Sequence, residues 1–160
     1  MSTRNVTMVV DRSISSKYVD GFAIHPHEIS DNSYVNMYLH HDGYPEYRAV
    51  ELANWVNHMQ QNKGFTKFGD SSRIASHLVS DFHYNSQYLY PNVKNIDHHY
   101  TYILWTGKPD VWISCYDNYK SENVFVLPIE KVIEKYYDIN IDYKWWDFIE
   151  YELKEMGIEL

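Results

Sequence analysis

The first forty positions carry two apolar, β-branched segments and no helical stripe. Residues Thr3 to Val10 predict a strand that begins almost at the N-terminus, and Tyr34 to His40 predict a second strand, which we expect to lie beside the first in the sheet. Positions 11–33 between them are mainly Ser, Asp, Asn, His, Pro and Gly, with one short apolar piece from Gly21 to Ile24. This composition predicts a long loop that contains one weak strand.

Helical spacing begins after Pro45. Apolar residues recur at i, i+3 and i+4 and predict a helix from Glu46 to Asn62, with the acidic Glu46 favourably placed in its first turn. This helix is expected to pack through Leu52, Ala53, Val56 and Met59. A shorter helix is predicted where capping residues at 70–73 precede Ile74, Ala75, Leu78 and Val79. Positions 83–97 predict a loop that carries several tyrosines.

The last third of the chain predicts a hairpin followed by helices. Tyr100 to Trp105 and Val111 to Tyr116 are β-rich segments joined by a turn sequence at 106–110. A short strand from Val124 to Leu127 ends at Pro128, which opens a helix. After Asp142, a last helix is predicted by the stripe Trp145, Phe148, Ile149, Leu153 and Met156. The order of elements predicts a single α+β domain over residues 1–160, mainly an antiparallel sheet with helices packed on one face. Residues 128–160 form its helical C-terminal extension.

Composition and charge narrow the classes of function. The chain has a formal net charge of -8 and an isoelectric point near 5.5, which argues against binding duplex nucleic acid through phosphate neutralisation. The single cysteine, Cys115, cannot form an internal disulfide, and the N-terminus has no signal-peptide pattern. No apolar segment reaches the roughly 18 residues of a membrane span. We therefore expect a protein of the cytoplasm with no membrane partner.

Aromatic residues are unusually frequent, since 16 Tyr, 6 Phe and 5 Trp make up 17% of the chain. Many of them fall between Tyr84 and Tyr119, and Tyr102 and Trp112 on the hairpin are candidate ligand contacts. In the simpler interpretation, these aromatic side chains fill the core on one face of the strands and are scattered over the surface on the other face. The functional interpretation is a stacking pocket or a protein-binding face, for which Arg4 offers a guanidinium group.

Three short motifs resemble a family of small, largely uncharacterised bacteriophage and prophage proteins. The chain begins Ser2-Thr3-Arg4, carries His40-His41-Asp42-Gly43-Tyr44-Pro45 before a helix, and continues with Phe68-Gly69-Asp70-Ser71-Ser72. The family pattern is an N-terminal Ser-Thr-Arg, a His-Trp-Asp-Gly-Tyr-Pro motif and a Leu-Gly-Asp-x-Ser turn, so His41 stands where the family has Trp. The resemblance implies a sheet-and-helix core and a nonessential phage gene product. Proteins of that kind act inside the infected host cell and often bind and neutralise a host factor.

The corner from His40 to Tyr44 has two interpretations. In the structural one, Asp42 bonds the backbone of a tight turn, Gly43 takes a positive φ and Pro45 sets the start of the helix. In the functional one, a strand end that leads into a helix N-terminus presents free N–H groups beside His and Tyr side chains. Such a place suits an anion or a nucleobase, although Glu46 in the first turn weakens the anion version.

The nine histidines raise the question of a metal site. His25 with His27, His40 with Asp42, and the pair at 98–99 could supply ligands, but none has the spacing of a zinc motif. Cys115 lies in a predicted strand without an activating neighbour, and the chain has no phosphate-binding loop or nucleophile elbow. We expect no resident metal or cofactor and favour a binding protein over an enzyme.

The leading hypothesis is a phage-type accessory protein that binds and sequesters a host component during infection, with a nucleotide-derived immune signal as the favoured ligand. Two alternatives stay open: an inhibitor that lays an acidic, aromatic surface on a host defence or transcription protein, and a metal-assisted hydrolase that uses the histidines. Homo-oligomerisation also stays open. The residues predicted to contact the ligand are Arg4, His40, His41, Asp42, Tyr44, Tyr102 and Trp112.

Overall fold

The computed structural model describes residues 3–11, 29–63, 71–82, 88–94, 96–106 and 111–136. Within these ranges the strands are β1 (Asn5–Asp11), β2 (Val35–Leu39), β3 (Tyr88–Leu89), β4 (Tyr100–Thr106), β5 (Trp112–Asp117) and β6 (Glu122–Pro128). The α-helices are α1 (Pro45–Lys63), α2 (Ser71–Phe82) and α3 (Ile129–Tyr136), and a 3-10 helix occupies Ser30–Asn32. Among the described helices, none has both the length and the apolar character needed to cross a membrane.

The six strands form one sheet in the order β3-β2-β1-β4-β5-β6. The central pair, β1 and β4, is parallel, with Asn5 opposite Tyr100, and the other four neighbouring pairs are antiparallel. The predicted α+β class, the pairing of β1 with β2 and the β4–β5 hairpin are confirmed. The sheet is mixed because β1 and β4 run in the same direction, and β1 is buried along nearly all its length as a central parallel strand usually is.

Strand β3 was not predicted, because positions 83–97 were expected to form a loop. Tyr88 and Leu89 instead pair with Tyr38 and Met37 at the free edge of β2. Two residues are too few to show the alternation that marks a strand in a sequence. The strand therefore depends on its partner β2 and not on a local preference.

The helices pack on one face of the sheet. Their buried side chains join those of the sheet in one apolar cluster, which includes the predicted residues Leu52, Ala53, Val56 and Met59 of α1 together with Ile74 and Leu78 of α2 and Val132 of α3. The opposite face has a second, smaller cluster around Val6, Met8 and Trp105 that is covered by Ile29 and Val93. Connecting segments cover this face in the described part of the chain.

A buried ion pair links α1 to the middle of the sheet. The Arg48 guanidinium donates through Nε and Nη2 to Oγ1 of Thr7 on β1, at 3.3 and 3.0 Å, and also donates to the Glu51 carboxylate. It lies 4.9 Å from the ring centroid of Phe82 at the end of α2. Because Arg48 is only 2% exposed, its charge depends on these partners for compensation.

Several predicted elements lie outside the described residues. These are the weak strand at Gly21–Ile24, the turn at 107–110, and the last helix after Asp142.

Candidate functional site

Most of the predicted site residues gather at one end of the sheet, which we call the corner end. Here β1 begins and β2 ends, so that Asn5 pairs with Leu39 on one side and with Tyr100 on the other. The corner from His40 to Tyr44 follows β2 directly, and Arg4 immediately precedes β1. The parallel central pair also brings the start of β4 to the same end, which adds residues that the sequence analysis did not group with the corner.

The backbone of the corner differs from the prediction at one residue. The left-handed conformation belongs to Asp42, with a φ of 58°, and not to Gly43. Glycine is needed at position 43 for a different reason. A Cβ atom there would lie 2.5 Å from the carbonyl oxygen of Thr3 and 2.8 Å from Nδ2 of Asn5, closer than real Cβ contacts come. The corner is therefore pressed against the chain that leads into β1.

Hydrogen bonds hold the corner on this chain. The N–H of Gly43 donates to the carbonyl of Thr3 at 3.1 Å, and Nδ2 of Asn5 donates to the carbonyl of His41 at 3.2 Å. The Tyr102 hydroxyl donates to the Gly43 carbonyl from the helix-side core, where Tyr102 is fully buried. The structure thus places Tyr102 beneath the corner as a support and not on its surface.

The start of α1 agrees with the prediction. The carbonyl of Tyr44 accepts the N–H of Arg48 at 2.8 Å, which makes Tyr44 the residue that caps the helix, and Pro45 occupies the first helical position. Proline suits this position because its missing N–H would have no partner there. The Tyr44 ring is consequently fixed at the junction of strand end and helix.

The two corner histidines extend a group of tyrosines on the sheet face opposite the helices. The Tyr38 hydroxyl lies 3.0 Å from Nδ1 of His40, and the His41 ring meets the His40 ring edge to face at 4.8 Å. Tyr38 also contacts the rings of Tyr88 and Tyr90, at 6.2 and 6.0 Å between centroids. Both His41 and Asp42 are exposed, so the predicted polar residues of the corner do face outward.

Arg4 lies next to this group. Its Nη1 atom donates to Oδ2 of Asp97 at 3.1 Å in an exposed ion pair, and the Tyr119 hydroxyl reaches Oδ1 of the same carboxylate at 3.4 Å. Burial raises the pKa of Tyr38, and the Arg4 guanidinium opposes that rise. Because Arg4 precedes Asn5, which pairs with Leu39, the backbone of Arg4 lies beside the start of the corner.

A stack of three rings completes the corner end. The His99 imidazole is near-parallel to the ring of Tyr100 at 4.0 Å and to the ring of Tyr119 at 4.3 Å, and Tyr44 meets it edge-on at 6.5 Å. Nε2 of His99 lies 3.3 Å from Oδ1 of the buried Asp117. Burial, followed by the Asp117 carboxylate, raises the pKa of Tyr100 to about 12, so this ring stays neutral at physiological pH.

Two buried acceptors at this end carry hydrogen-bonding capacity that the described residues do not use. Oδ1 of Asn5, under the corner, and Oδ1 of Asn118, in the turn after β5, have no hydrogen-bond partner. The Nδ2 group of Asn118 is fully engaged, with the His99 carbonyl and the Thr101 hydroxyl. An unpaired buried acceptor typically costs about 1–3 kcal/mol, and such groups often accompany functional sites.

Trp112 is the predicted site residue that the structure separates from the others. It begins β5, opposite Trp105 and Pro128, and packs against the small cluster on the face away from the helices. From Asp117 at the corner end, the strand runs about 17 Å to Trp112. Trp112 therefore cannot contact a small ligand held at the corner.

The features considered for catalysis find no support in the described residues. Cys115 is buried, and burial raises the pKa of its thiol, so that it remains protonated and unreactive. Within the ranges that the structure covers, no three His, Cys, Asp or Glu side chains are arranged to hold a metal ion. His25 and His27 lie outside those ranges.

A small cavity of about 190 Å³ lies at the other end of the molecule, between α1 and α3. The described lining residues include no cation and no aromatic ring. They are Asn57, Gln60, Ile129, Glu130 and Ile133. These described lining residues offer an aromatic or anionic ligand neither a stacking surface nor a positive charge. The corner end is the better candidate.

Comparison with protein-family models, curated proteins and solved structures finds no match to this chain. We therefore infer the function from the geometry of the corner end.

Asp97, His99, Asp117 and Tyr119 lie at this end but are not among the predicted ligand contacts, although Tyr119 belongs to the aromatic group that predicts a stacking pocket or a protein-binding face. His99 had been considered only with His98, as a metal ligand. The structure separates their roles, because His98 is buried against Ile96 and Thr101 whereas His99 enters the ring stack. A parallel pairing of β1 with β4 would have brought His99 beside Arg4, but nothing local in the sequence predicts that pairing.

Proposed function

We propose that this chain is a binding protein that captures an anionic small molecule with a planar ring, of the nucleotide class, at the corner end. Its role would be that of a phage-type accessory protein in the host cytoplasm that sequesters a nucleotide-derived immune signal. One observation carries the proposal: the exposed guanidinium of Arg4 shares the Asp97 carboxylate with the hydroxyl of the exposed Tyr119, whose ring stacks on His99. This combination offers charge, hydrogen bonds and a stacking surface in one place.

Arg4 is available to a ligand at small cost. In its ion pair with Asp97 the two side chains are 41% and 71% exposed. Exposed pairs of this kind contribute about 0–1 kcal/mol, because water already solvates both charges. A phosphate can accept two parallel hydrogen bonds from one guanidinium, which is a stronger arrangement than the single bond to Asp97. We therefore expect the ligand anion to displace Asp97.

The aromatic part of the ligand would stack on Tyr119, which is 61% exposed although one face of its ring lies on His99. Stacking of a base on an aromatic side chain contributes about 1–3 kcal/mol. The Tyr44 ring borders the same area, 6.5 Å from the His99 ring, and His41 is an exposed residue of the adjoining corner. The net charge of -8 disfavours long polyanions, so a small ligand fits better than a nucleic acid.

A second candidate function, inhibition of a host protein, is favoured by a different surface. Along the free edge of β2 and β3, the residues Tyr34, Tyr88, Leu89 and Tyr90 are each between 41% and 58% exposed. Several exposed apolar and aromatic side chains along one sheet edge are typical of protein-binding surfaces. A protein partner would use this edge, whereas a small ligand would use the corner end.

Mass spectrometry of the molecules that co-purify with the protein tests the proposal. The full chain is purified from infected or signal-producing cells, alongside the double variant His41→Ala/Tyr44→Ala and the control Tyr34→Ala. Tyr34 is also an exposed tyrosine, but it lies at the opposite end of β2. We expect a nucleotide with the wild type and the control, and binding weakened by about 1–3 kcal/mol in the double variant.

If the folded double variant retains the nucleotide fully, the corner is only a turn. The other outcome is that no nucleotide is found and a host protein co-purifies with the wild type. If the double variant Tyr88→Ala/Tyr90→Ala does not bind that host protein, the inhibitor function replaces the proposed one.

A further inference from the structure

The ring stack at the corner end holds His99 in a single orientation. Tyr100 and Tyr119 both lie parallel to the imidazole within about 4 Å, and they do not contact each other. Two rings at that distance from one face would overlap, so they cover opposite faces of the imidazole. Rotation of the ring is blocked on both sides, and only its edges remain for hydrogen bonding.

One edge is taken by Asp117. Oδ1 of this buried carboxylate accepts the backbone N–H groups of Tyr119 at 3.0 Å and Lys120 at 3.1 Å, and it lies 3.3 Å from Nε2 of His99. A carboxylate oxygen accepts hydrogen bonds, so this 3.3 Å contact favours the neutral tautomer of His99 that carries its proton on Nε2. In the neutral imidazole the other nitrogen, Nδ1, is then an acceptor, and no group in the described residues donates to it.

We propose that Asp117 positions His99 so that Nδ1 accepts a hydrogen bond from the ligand held by Arg4, and that the site therefore selects an anion that also carries a hydroxyl or amino donor. The inference rests on the function proposed above and specifies its ligand further. A ribose hydroxyl beside a phosphate, or an exocyclic amine of a base, has the required donor. His99 contacts the ligand directly, and Asp117 acts through His99.

The geometry links the two halves of this site. The Arg4 carbonyl accepts the N–H of His99 at 3.0 Å, so the two residues are neighbours across the β1–β4 junction. The Tyr119 ring, which lies on His99, reaches Asp97 through its hydroxyl, and Asp97 holds Arg4. A ligand anion that replaces Asp97 at Arg4 is thereby brought beside the imidazole.

The first test needs no ligand. Nitrogen NMR of the imidazole in the full-length protein near pH 8 distinguishes the two neutral tautomers. We expect His99 to carry its proton on Nε2 and to have an unprotonated Nδ1. A proton on Nδ1 would overturn the inference, because that nitrogen would then donate and not accept.

The second test uses a matched pair of variants, His99→Asn and His99→Gln, with ADP-ribose and cyclic di-AMP as probes in equilibrium titrations. Both variants remove the same ring from the stack. The Asn side chain can place its oxygen near the position of Nδ1, whereas Gln can place an N–H near the position of Nε2 and keep the bond to Asp117. We expect His99→Gln to bind the probes about tenfold more weakly than His99→Asn.

A purely structural role for His99 predicts the opposite ranking. His99→Gln keeps the bond to Asp117 and should be the more stable variant, so binding that follows stability would contradict the inference. If the wild type binds a probe and loses it on Arg4→Gln, but the two His99 variants bind equally, the inference is wrong and the proposed function stands. If neither probe binds the wild type, the proposed function fails for this ligand class and the ligand contact of His99 fails with it. The NMR result still decides the role of Asp117.

Discussion

Replacement of Gly43 with Ala should destabilise the protein although the backbone at that position is unstrained. The reason is space: the new Cβ would lie 2.5 Å from the Thr3 carbonyl oxygen and 2.9 Å from Cβ of Asn5. Neither atom belongs to the flexible end of a side chain, because one is backbone and the other is next to the backbone of β1. The corner must therefore move away from β1.

The size of the effect follows from the contacts that this movement breaks. Overpacking of a well-packed site typically costs about 1–3 kcal/mol. The hydrogen bond from Gly43 N–H to Thr3 and the bond from the Tyr102 hydroxyl to the Gly43 carbonyl each contribute about 0.5–1.5 kcal/mol when they are lost or lengthened. Because these terms overlap, we expect a total loss of about 2–4 kcal/mol in the free energy of unfolding.

The neighbouring variant Asp42→Gly is a matched control. Asp42 has a φ of 58°, and a non-glycine residue in this left-handed conformation is strained by about 1–2 kcal/mol, less for Asp than for most residues. Glycine removes the strain but adds entropy to the unfolded chain, so Asp42→Gly should change stability by less than about 1 kcal/mol. Urea unfolding of both variants, followed by circular dichroism, gives the comparison. The reasoning is refuted if Gly43→Ala unfolds at the wild-type midpoint, or if Asp42→Gly is the more damaging change.

Three further changes test the packing and the buried polar groups. Leu52→Ala should cost about 2–5 kcal/mol, because Leu52 is fully buried between α1 and the sheet, and an unchanged unfolding midpoint would remove that assignment. Arg48→Ala should cost about 3–5 kcal/mol, because it removes the buried guanidinium that bonds the Glu51 carboxylate and Thr7, and the double variant Arg48→Met/Glu51→Leu should recover much of the loss. Burial raises the pKa values of Tyr102 and Cys115, so both groups stay protonated when folded and ionise when unfolded. Stability should therefore fall as pH rises above about 9, by up to about 1.4 kcal/mol per pH unit for each group, and Tyr102→Phe should flatten this fall. A free energy of unfolding that is constant between pH 9 and pH 11 would contradict this predicted pH dependence.

Elements defined by local pattern were predictable from the sequence. The helix from Pro45 follows from apolar spacing and a proline at its first position, and the β4–β5 hairpin follows from two β-rich segments around a turn sequence. The pairing of β1 with β2 was also expected. Strand β3 and the parallel pairing of β1 with β4 were not, because they depend on contacts between residues far apart in the chain.

The candidate site likewise has a part that the sequence predicts and a part that depends on contacts between distant residues. The corner, Arg4 and their proximity could be predicted, since a motif and a strand pairing define them. Tyr102 and Trp112 were chosen only for their aromatic character, and the structure places one in the core and the other at the far end of the sheet. His99 and Asp117 joined the site because β4 and β5 start and end beside Arg4, which no local feature of the sequence reveals.

The most direct test of the central claim is a calorimetric titration of ADP-ribose and cyclic di-AMP into the wild type and into Arg4→Gln. Arg4 supplies a positive charge at the corner end, and a charge-assisted hydrogen bond typically contributes about 1.5–3 kcal/mol. We expect the wild type to bind at least one of these nucleotides, and the folded variant to bind it about 10- to 150-fold more weakly. Equal binding by the two proteins, or no binding of either nucleotide by the wild type, would contradict the account.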